Sequence, residues 1–236
     1  MAGAHVPDAA PPLVVDIDGT LTDADRELDP RVFPVLRGWP ATVVVATGKA
    51  LPYPVALCDF LAIDVVVIAE NGGVAVSGPT DTLRVVGDRE AANAVAEEYR
   101  ARGHDLGWGG IDLANRWRET EIIARRDAPL APLEDVAADH GLEVVDTGFA
   151  YHVKSPDVTK GTAFDRLAAE LDLAPGAVAA VGDSVNDAPV FERVGLAVAV
   201  ANADDAARAA ADHVTESAYS GGFLEAVGWI AGEERA

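Results

Sequence analysis

The chain has 236 residues, half of them hydrophobic, which is enough for one large or two modest domains with a sizeable core and excludes a disordered protein. Against 39 acidic residues stand 18 basic ones, a formal net charge of -21 that repels phosphate backbones and anionic lipid. Nucleic acid and membrane partners are therefore not expected, and a lone cysteine, Cys58, excludes an internal disulfide or a cysteine-rich zinc site.

An anionic substrate would have to be met by a locally positive site or by a bound cation, because the overall field opposes it. Lysines are confined to Lys49, Lys154 and Lys160. Such acidity suits a protein kept soluble at high salt, and equally the coding of a GC-rich genome. No apolar run reaches the roughly 18 to 20 residues of a membrane span. Residues 1–12 lack a basic start and an apolar core, so they are expected to be a frayed lead on a cytoplasmic protein.

In chain order, residues 13–17, 42–46 and 64–69 are short apolar runs rich in valine, and lack of alternation predicts strands covered on both faces, as in a parallel sheet. Residues 29–36 and 52–61 supply helical crossovers between them. A turn at Asn71, Gly72 and Gly73 then opens a different pattern. Short strands are expected at residues 74–77, 83–86, 119–124 and 142–146, with helices at 88–102 and 130–140. An amphipathic helix at 161–171 precedes β-like runs at 178–181 and 196–200, which residues 187–193 separate; the alanine-rich stretch at 203–211 predicts a surface helix. The expected fold is α/β. A doubly wound, Rossmann-like parallel-sheet core comes from residues 1–73 and 154–236, and residues 74–153 form an inserted α/β module.

In open α/β sheets ligands bind beyond the carboxyl ends of the strands. Four polar groups fall at such ends or at helix starts: Asp16 and Asp18 in DIDGT, Thr47 in ATGK, Lys160 in TKG, and Asp183, Asn186 and Asp187 in GDSVND. A carboxylate can carry a phosphoryl group, a hard cation such as Mg²⁺ can relieve the repulsion among anions, and Thr and Lys suit the remaining phosphoryl oxygens. Each group alone is a common turn or cap; together they hold every part of a phosphoryl-transfer site.

DIDGTLT, ATGK, TKG and GDSVND resemble the four motifs of the haloacid dehalogenase superfamily of aspartate-dependent phosphatases, and the insert resembles the large α/β cap of some members. The resemblance implies a Mg²⁺-dependent phosphatase of a small phosphorylated metabolite, with 2-phosphoglycolate as the expected ester. Asp16 would be the nucleophile, and Asp18 the general acid and then base, its carbonyl also on the metal. Thr47 and Lys160 would hold the phosphoryl group. The implied Mg²⁺ set is Asp16, Asp18, Asp183 and Asp187, the last directly or through water, with Asn186 orienting them or the substrate.

Gly19 is expected at a tight turn beside the phosphoryl group, Thr20 as a cap and Ser184 as a solvent-facing hydroxyl. Asn71 could line the cleft or only make a turn, and His152 lies near the return from the cap. Arg116, Arg118, Arg125 and Arg126 are candidates for reading a substrate carboxylate. Trp108 and Trp117 are expected in the cap core. Sugar-phosphate phosphatases and phosphomutases of the same superfamily are the nearest rivals. A phospho-receiver domain or a non-catalytic phosphate-binding protein is the alternative from another class, and a homodimer stays open.

Overall fold

The computed structural model describes residues 8–232. Residues 1–7 of the expected frayed lead lie outside that range. The rest of the lead is tied down, since the Pro12 carbonyl accepts the Ala179 N–H at 2.9 Å and the Pro11 carbonyl accepts the Trp39 indole at 2.9 Å.

Strand β1 (Leu13–Val15) is followed by helix α1 (Val32–Arg37), β2 (Val43–Ala46), α2 (Pro52–Leu61) and β3 (Val66–Ala69). A single 3-10 turn, Glu70–Gly72, leads into β4 (Val74–Ser77) and β5 (Thr82–Val85). After the insert the chain returns through α5 (Lys160–Glu170), β9 (Ala179–Gly182), α6 (Ala188–Phe191), β10 (Leu196–Ala199), α7 (Asp205–Ala210), β11 (His213–Val214) and α8 (Tyr219–Ile230). These strands make one eight-stranded sheet in the order β11-β10-β9-β1-β2-β3-β4-β5, with β1 central and parallel to both β2 and β9.

Side chains alternate across a strand, and both faces of this sheet are covered. Leu13 and Val15 pack with Val35, Leu57, Phe223 and Val227 under α1, α2 and α8, whereas Val14 packs with Phe164, Leu167, Val190 and Ala207 under α5, α6 and α7. The same alternation turns Asp16 toward the α5 side of the sheet. Helix α5 begins with a capping box, in which the Thr159 side chain accepts the Thr162 N–H at 3.1 Å and Thr162 Oγ1 accepts the Thr159 N–H at 3.1 Å. The box sets Lys160 at the first helical position, one residue earlier than the helix expected at 161–171.

The hairpin of β4 and β5, expected in the insert, is instead hydrogen-bonded antiparallel to β3 in the larger sheet. The 3-10 turn reverses the chain onto the β3 edge, where Val74 and Ala75 are buried. A separate module follows it: α3 (Arg89–Ala101), β6 (Ile122–Arg125), α4 (Leu130–Asp139), β7 (Glu143–Asp146) and β8 (Ala150–Lys154), whose strands pair antiparallel in the order β6-β8-β7. Strand β8 is absent from the sequence reading. Tyr151 and Val153 pack with Val95, Tyr99, Leu133 and Val136 of α3 and α4, so the intervening His152 faces the other way, toward the core domain.

Candidate active site

Asp16 and Asp18 follow β1, Thr47 follows β2, Asp183 follows β9, Asp187 caps α6 and Lys160 opens α5. All of these lie at the carboxyl edge of the central parallel strands. Lys160 is fully buried, and its Nζ donates to Asp16 Oδ1 at 2.7 Å and to Asp187 Oδ1 at 2.7 Å. Burial alone would lower its pKa, but Asp16 and Asp187 outweigh that and raise it, so the ammonium stays charged.

Asp187 Oδ2 accepts the N–H groups of Asp183 at 3.0 Å and Ser184 at 3.1 Å, which folds the GDSVND loop around this carboxylate. Among the described residues the Asp183 carboxylate has only a long contact from the Thr20 hydroxyl at 3.5 Å. Burial pushes the Asp183 carboxyl up to about 9, with Asp16 and Asp187 adding to the rise. Burial pushes Asp16 up to about 7, against the pull of Lys160 and with further push from Asp187 and Asp18. Oxygens of Asp16, Asp183 and Asp187 lie within 4.8 Å of one another. Buried oxygen donors with too little positive charge nearby are a donor set that fits a hard divalent cation.

Asp18 is half-exposed and pairs with Lys49 Nζ at 3.0 Å; Lys49 also lies over the Tyr53 ring at 5.5 Å and the Phe149 ring at 5.9 Å. Thr47 is buried, its hydroxyl oxygen accepting the Lys49 N–H at 3.1 Å, so the hydroxyl proton remains for another acceptor. Gly19 has φ +82°, and a Cβ there would lie 2.1 Å from Asp183 Oδ2, so the turn must be glycine for the loops to meet.

These groups line a cavity of about 70 Å³ whose walls include Asp16, Asp18, Thr47, Lys49, Asp183 and Asn186, bounded on the cap side by Arg118, Thr147, Phe149 and His152. A buried polar chain joins the two domains behind it. Asn186 Nδ2 donates to Asn71 Oδ1 at 2.9 Å, and Asn71 Nδ2 donates to Glu121 Oε2 at 3.1 Å. Glu121 Oε1 meets His152 Nδ1 at 2.9 Å and is ion-paired with Arg118. Burial works against ionised Glu121, yet His152 and Arg118 outweigh it and lower its pKa. The neighbouring Glu70 carboxylate accepts the N–H groups of Glu119 and Thr120 and the Thr120 hydroxyl, each at 2.8 Å.

Ser184, expected to face solvent, is half-buried and donates to Asn186 Oδ1 at 2.8 Å. Of the four cap arginines considered, only Arg118 lines the cavity. Arg125 and Arg126 pair with Asp127 and Asp146 at the surface, and Arg116 is exposed. Trp108 packs against the cap core, but Trp117, expected there too, is 45% exposed and faces Tyr53 and Phe60 of α2. Lys49, Glu70, Glu121, Thr147 and Phe149 were not singled out from the sequence. Lys49 had a signal, since it stands inside ATGK; Glu70 and Glu121 owe their place to partners such as Thr120, Asn71 and His152, which are distant in the chain.

Fold and site together are those of a capped, doubly wound α/β enzyme. Residues 139–227 match the family model described as haloacid dehalogenase-like hydrolase. The chain is 63% identical over 217 residues to the phosphoglycolate phosphatase of Haloarcula marismortui, covering 92% of this chain and 96% of that protein. It is 37% identical over 217 residues to the phosphoglycolate phosphatase of Methanococcoides burtonii, covering 91% and 94%. A crystal structure of a Thermoplasma acidophilum protein superposes with a TM-score of 0.80 at 26% identity, covering 96% of this chain and 99% of that one. One of a haloacid dehalogenase-like hydrolase from Bacteroides thetaiotaomicron has a TM-score of 0.75 at 18% identity, a likeness of fold. The chain belongs to the haloacid dehalogenase-like hydrolases.

Proposed function

We propose that this protein is a phosphoric monoester hydrolase that converts 2-phosphoglycolate to glycolate and phosphate, with Mg²⁺ as its metal. The observation that carries the reading is the convergence of Asp16, Asp18, Thr47, Lys160, Asp183 and Asp187 at one sheet edge, with Lys160 bridging Asp16 and Asp187 at 2.7 Å each. The substrate follows from relatives bearing that name over almost the whole chain.

In the proposed reaction an Asp16 oxygen attacks phosphorus in line, and the bond from phosphorus to the glycolate oxygen breaks. Asp18 gives its proton to the departing oxygen, which leaves as the glycolate hydroxyl. A water molecule then attacks phosphorus while Asp18 accepts a proton from it, the bond from phosphorus to the Asp16 oxygen breaks, and inorganic phosphate leaves with the Asp16 carboxylate restored. Paired carboxylates can divide such roles when their surroundings differ, and here Asp16 is buried against Lys160 whereas Asp18 is half-exposed beside Lys49. Thr47 Oγ1 and Lys160 Nζ hold phosphoryl oxygens. Mg²⁺, when bound, would neutralise charge on the phosphoryl group, held by Asp16, Asp183, the Asp18 carbonyl and Asp187. Both Asp187 oxygens already accept hydrogen bonds, which favours its reaching the metal through water.

Phosphate release from phosphoglycolate, hexose phosphates and a chromogenic ester, with Mg²⁺ or EDTA, tests the reading. Phosphoglycolate is expected to be turned over best and EDTA to abolish turnover; better activity on a hexose phosphate would overturn the substrate, and no activity on any ester would overturn the enzyme reading. Asp16→Asn is expected to abolish turnover while leaving circular dichroism unchanged, and retained activity would remove the covalent route.

A further inference from the structure

Arg118 is 7% exposed, yet only part of its guanidinium is used. Its Nε donates to the Ala114 carbonyl at 3.0 Å, and its Nη1 donates to the Gly48 carbonyl at 3.0 Å and to Glu121. Nη2 has no partner among the described residues. No side-chain nitrogen or oxygen among the described residues is both sealed from solvent and unpaired, so Nη2 keeps contact with solvent, and Arg118 lines the cavity. Of the lysines around the site, Lys160 is paired with Asp16 and Asp187 at the proposed phosphoryl site, and Lys49 is paired with Asp18. Arg118 therefore offers the cavity a cationic edge that no core carboxylate engages.

Its placement suits a ligand with two anionic ends. The Gly48 carbonyl that Arg118 holds belongs to the residue after Thr47, so the guanidinium stands beside the proposed phosphoryl site but on the cap side of it. Glu121 does not line the cavity. Its carboxylate is spent on Arg118, His152 and Asn71, so it fixes the guanidinium from behind without presenting free negative charge to a ligand.

We propose that Arg118, through Nη2, binds the carboxylate at the non-reacting end of the substrate and thereby makes the enzyme selective for small phosphorylated acids. This rests on the phosphatase reading above. In a protein of net charge -21 a substrate with a second anionic end is repelled more than one without it, so the preference must come from a local donor of this kind. An arginine in a buried, preformed geometry meets a carboxylate with directed N–H groups at little further ordering cost.

The test is the ratio of kcat/KM for phosphoglycolate to kcat/KM for ethyl phosphate, which keeps the ester and lacks the carboxylate. The wild type is expected to favour phosphoglycolate strongly. Arg118→Met is expected to lower the ratio on the order of 10- to 100-fold, the loss of one charge-assisted interaction, with Arg118→Lys in between. Because Arg118→Met strands buried Glu121, the double variant Arg118→Met/Glu121→Gln removes the pair together and should show the same fall in ratio. Equal losses on both esters, with the ratio kept, would overturn the proposal and leave Arg118 as a clamp between cap and core. A wild type that does not distinguish the two esters would overturn the substrate reading itself, and this proposal with it.

Discussion

Replacing Glu70 with alanine would strand cap donors that no other side chain among the described residues serves. The Glu70 carboxylate accepts the Glu119 N–H at 2.8 and 3.0 Å, and the Thr120 N–H and hydroxyl at 2.8 Å each. Glu119 is exposed and its N–H can turn to water, but Thr120 is buried and both its donors would lose their partner. Two stranded buried donors cost about 1–3 kcal/mol each. Part of that is returned because the buried carboxylate is itself strained electrostatically, burial and Glu121 both raising its pKa. A net loss of about 3 kcal/mol follows, or about 6–12 °C in Tm for a chain of this size. The backbone supplies an internal control. Glu70 has φ +51°, a left-handed conformation that alanine shares at a cost of roughly 1 kcal/mol and glycine does not. Glu70→Gly should therefore be about 1 kcal/mol less damaging than Glu70→Ala. Urea unfolding followed by tryptophan fluorescence and by circular dichroism measures both, coincident transitions justifying the comparison. An alanine variant within about 0.5 kcal/mol of wild type, or a glycine variant worse than the alanine one, would refute the reasoning.

At Gly19, alanine would set a Cβ 2.1 Å from Asp183 Oδ2 at φ +82°, so kcat/KM is expected to fall about 100-fold with weaker Mg²⁺ binding by calorimetry; unchanged kinetics would show that the loops can part. Lys160→Met leaves Asp16 and Asp187 buried without their cation, which should cost about 3–5 kcal/mol in denaturant unfolding and at least about 100-fold in kcat. Metal removal should make stability fall with pH. Asp16 and Asp183 are raised from 3.8 to about 7 and about 9, so the folded, metal-free state binds the extra protons, is favoured below the unfolded value and loses that advantage as pH rises through the folded ones. Thermal melts in EDTA at about pH 5 and pH 8.5, beside Mg²⁺-loaded samples, check this; a gap between the two samples that does not widen with pH contradicts it.

Much of the core was legible because its signals are local. Valine-rich runs predict strands covered on both faces, and the structure buries Leu13 and Val15 under one helix layer and Val14 under the other. DIDGT, ATGK, TKG and GDSVND stand where such strands end or helices begin, so the motif residues could be named from the chain alone. The cap was less legible. Strand β8 is hard to read in the sequence because AYHVK mixes a histidine and a lysine into its pattern, and these meet Glu121 and, across the β7–β8 pair, Glu143. The hairpin after the Glu70–Gly72 turn looked like part of the insert, since only hydrogen bonding to β3 assigns it to the larger sheet.

What the amino-acid order determined by itself was thus the α/β class, the strand ends and the residue types gathered there, all consequences of period-two burial and short-range turn chemistry. Tertiary structure alone decided which groups meet: Lys160 across 144 residues onto Asp16, Asn71 across 50 residues onto Glu121, and Arg118 across 70 residues onto Gly48. Nothing in the local sequence distinguishes Arg118 from Arg116, two positions away. The chain's path around Glu70 and Glu121 buries one of them against the cavity and leaves the other in water.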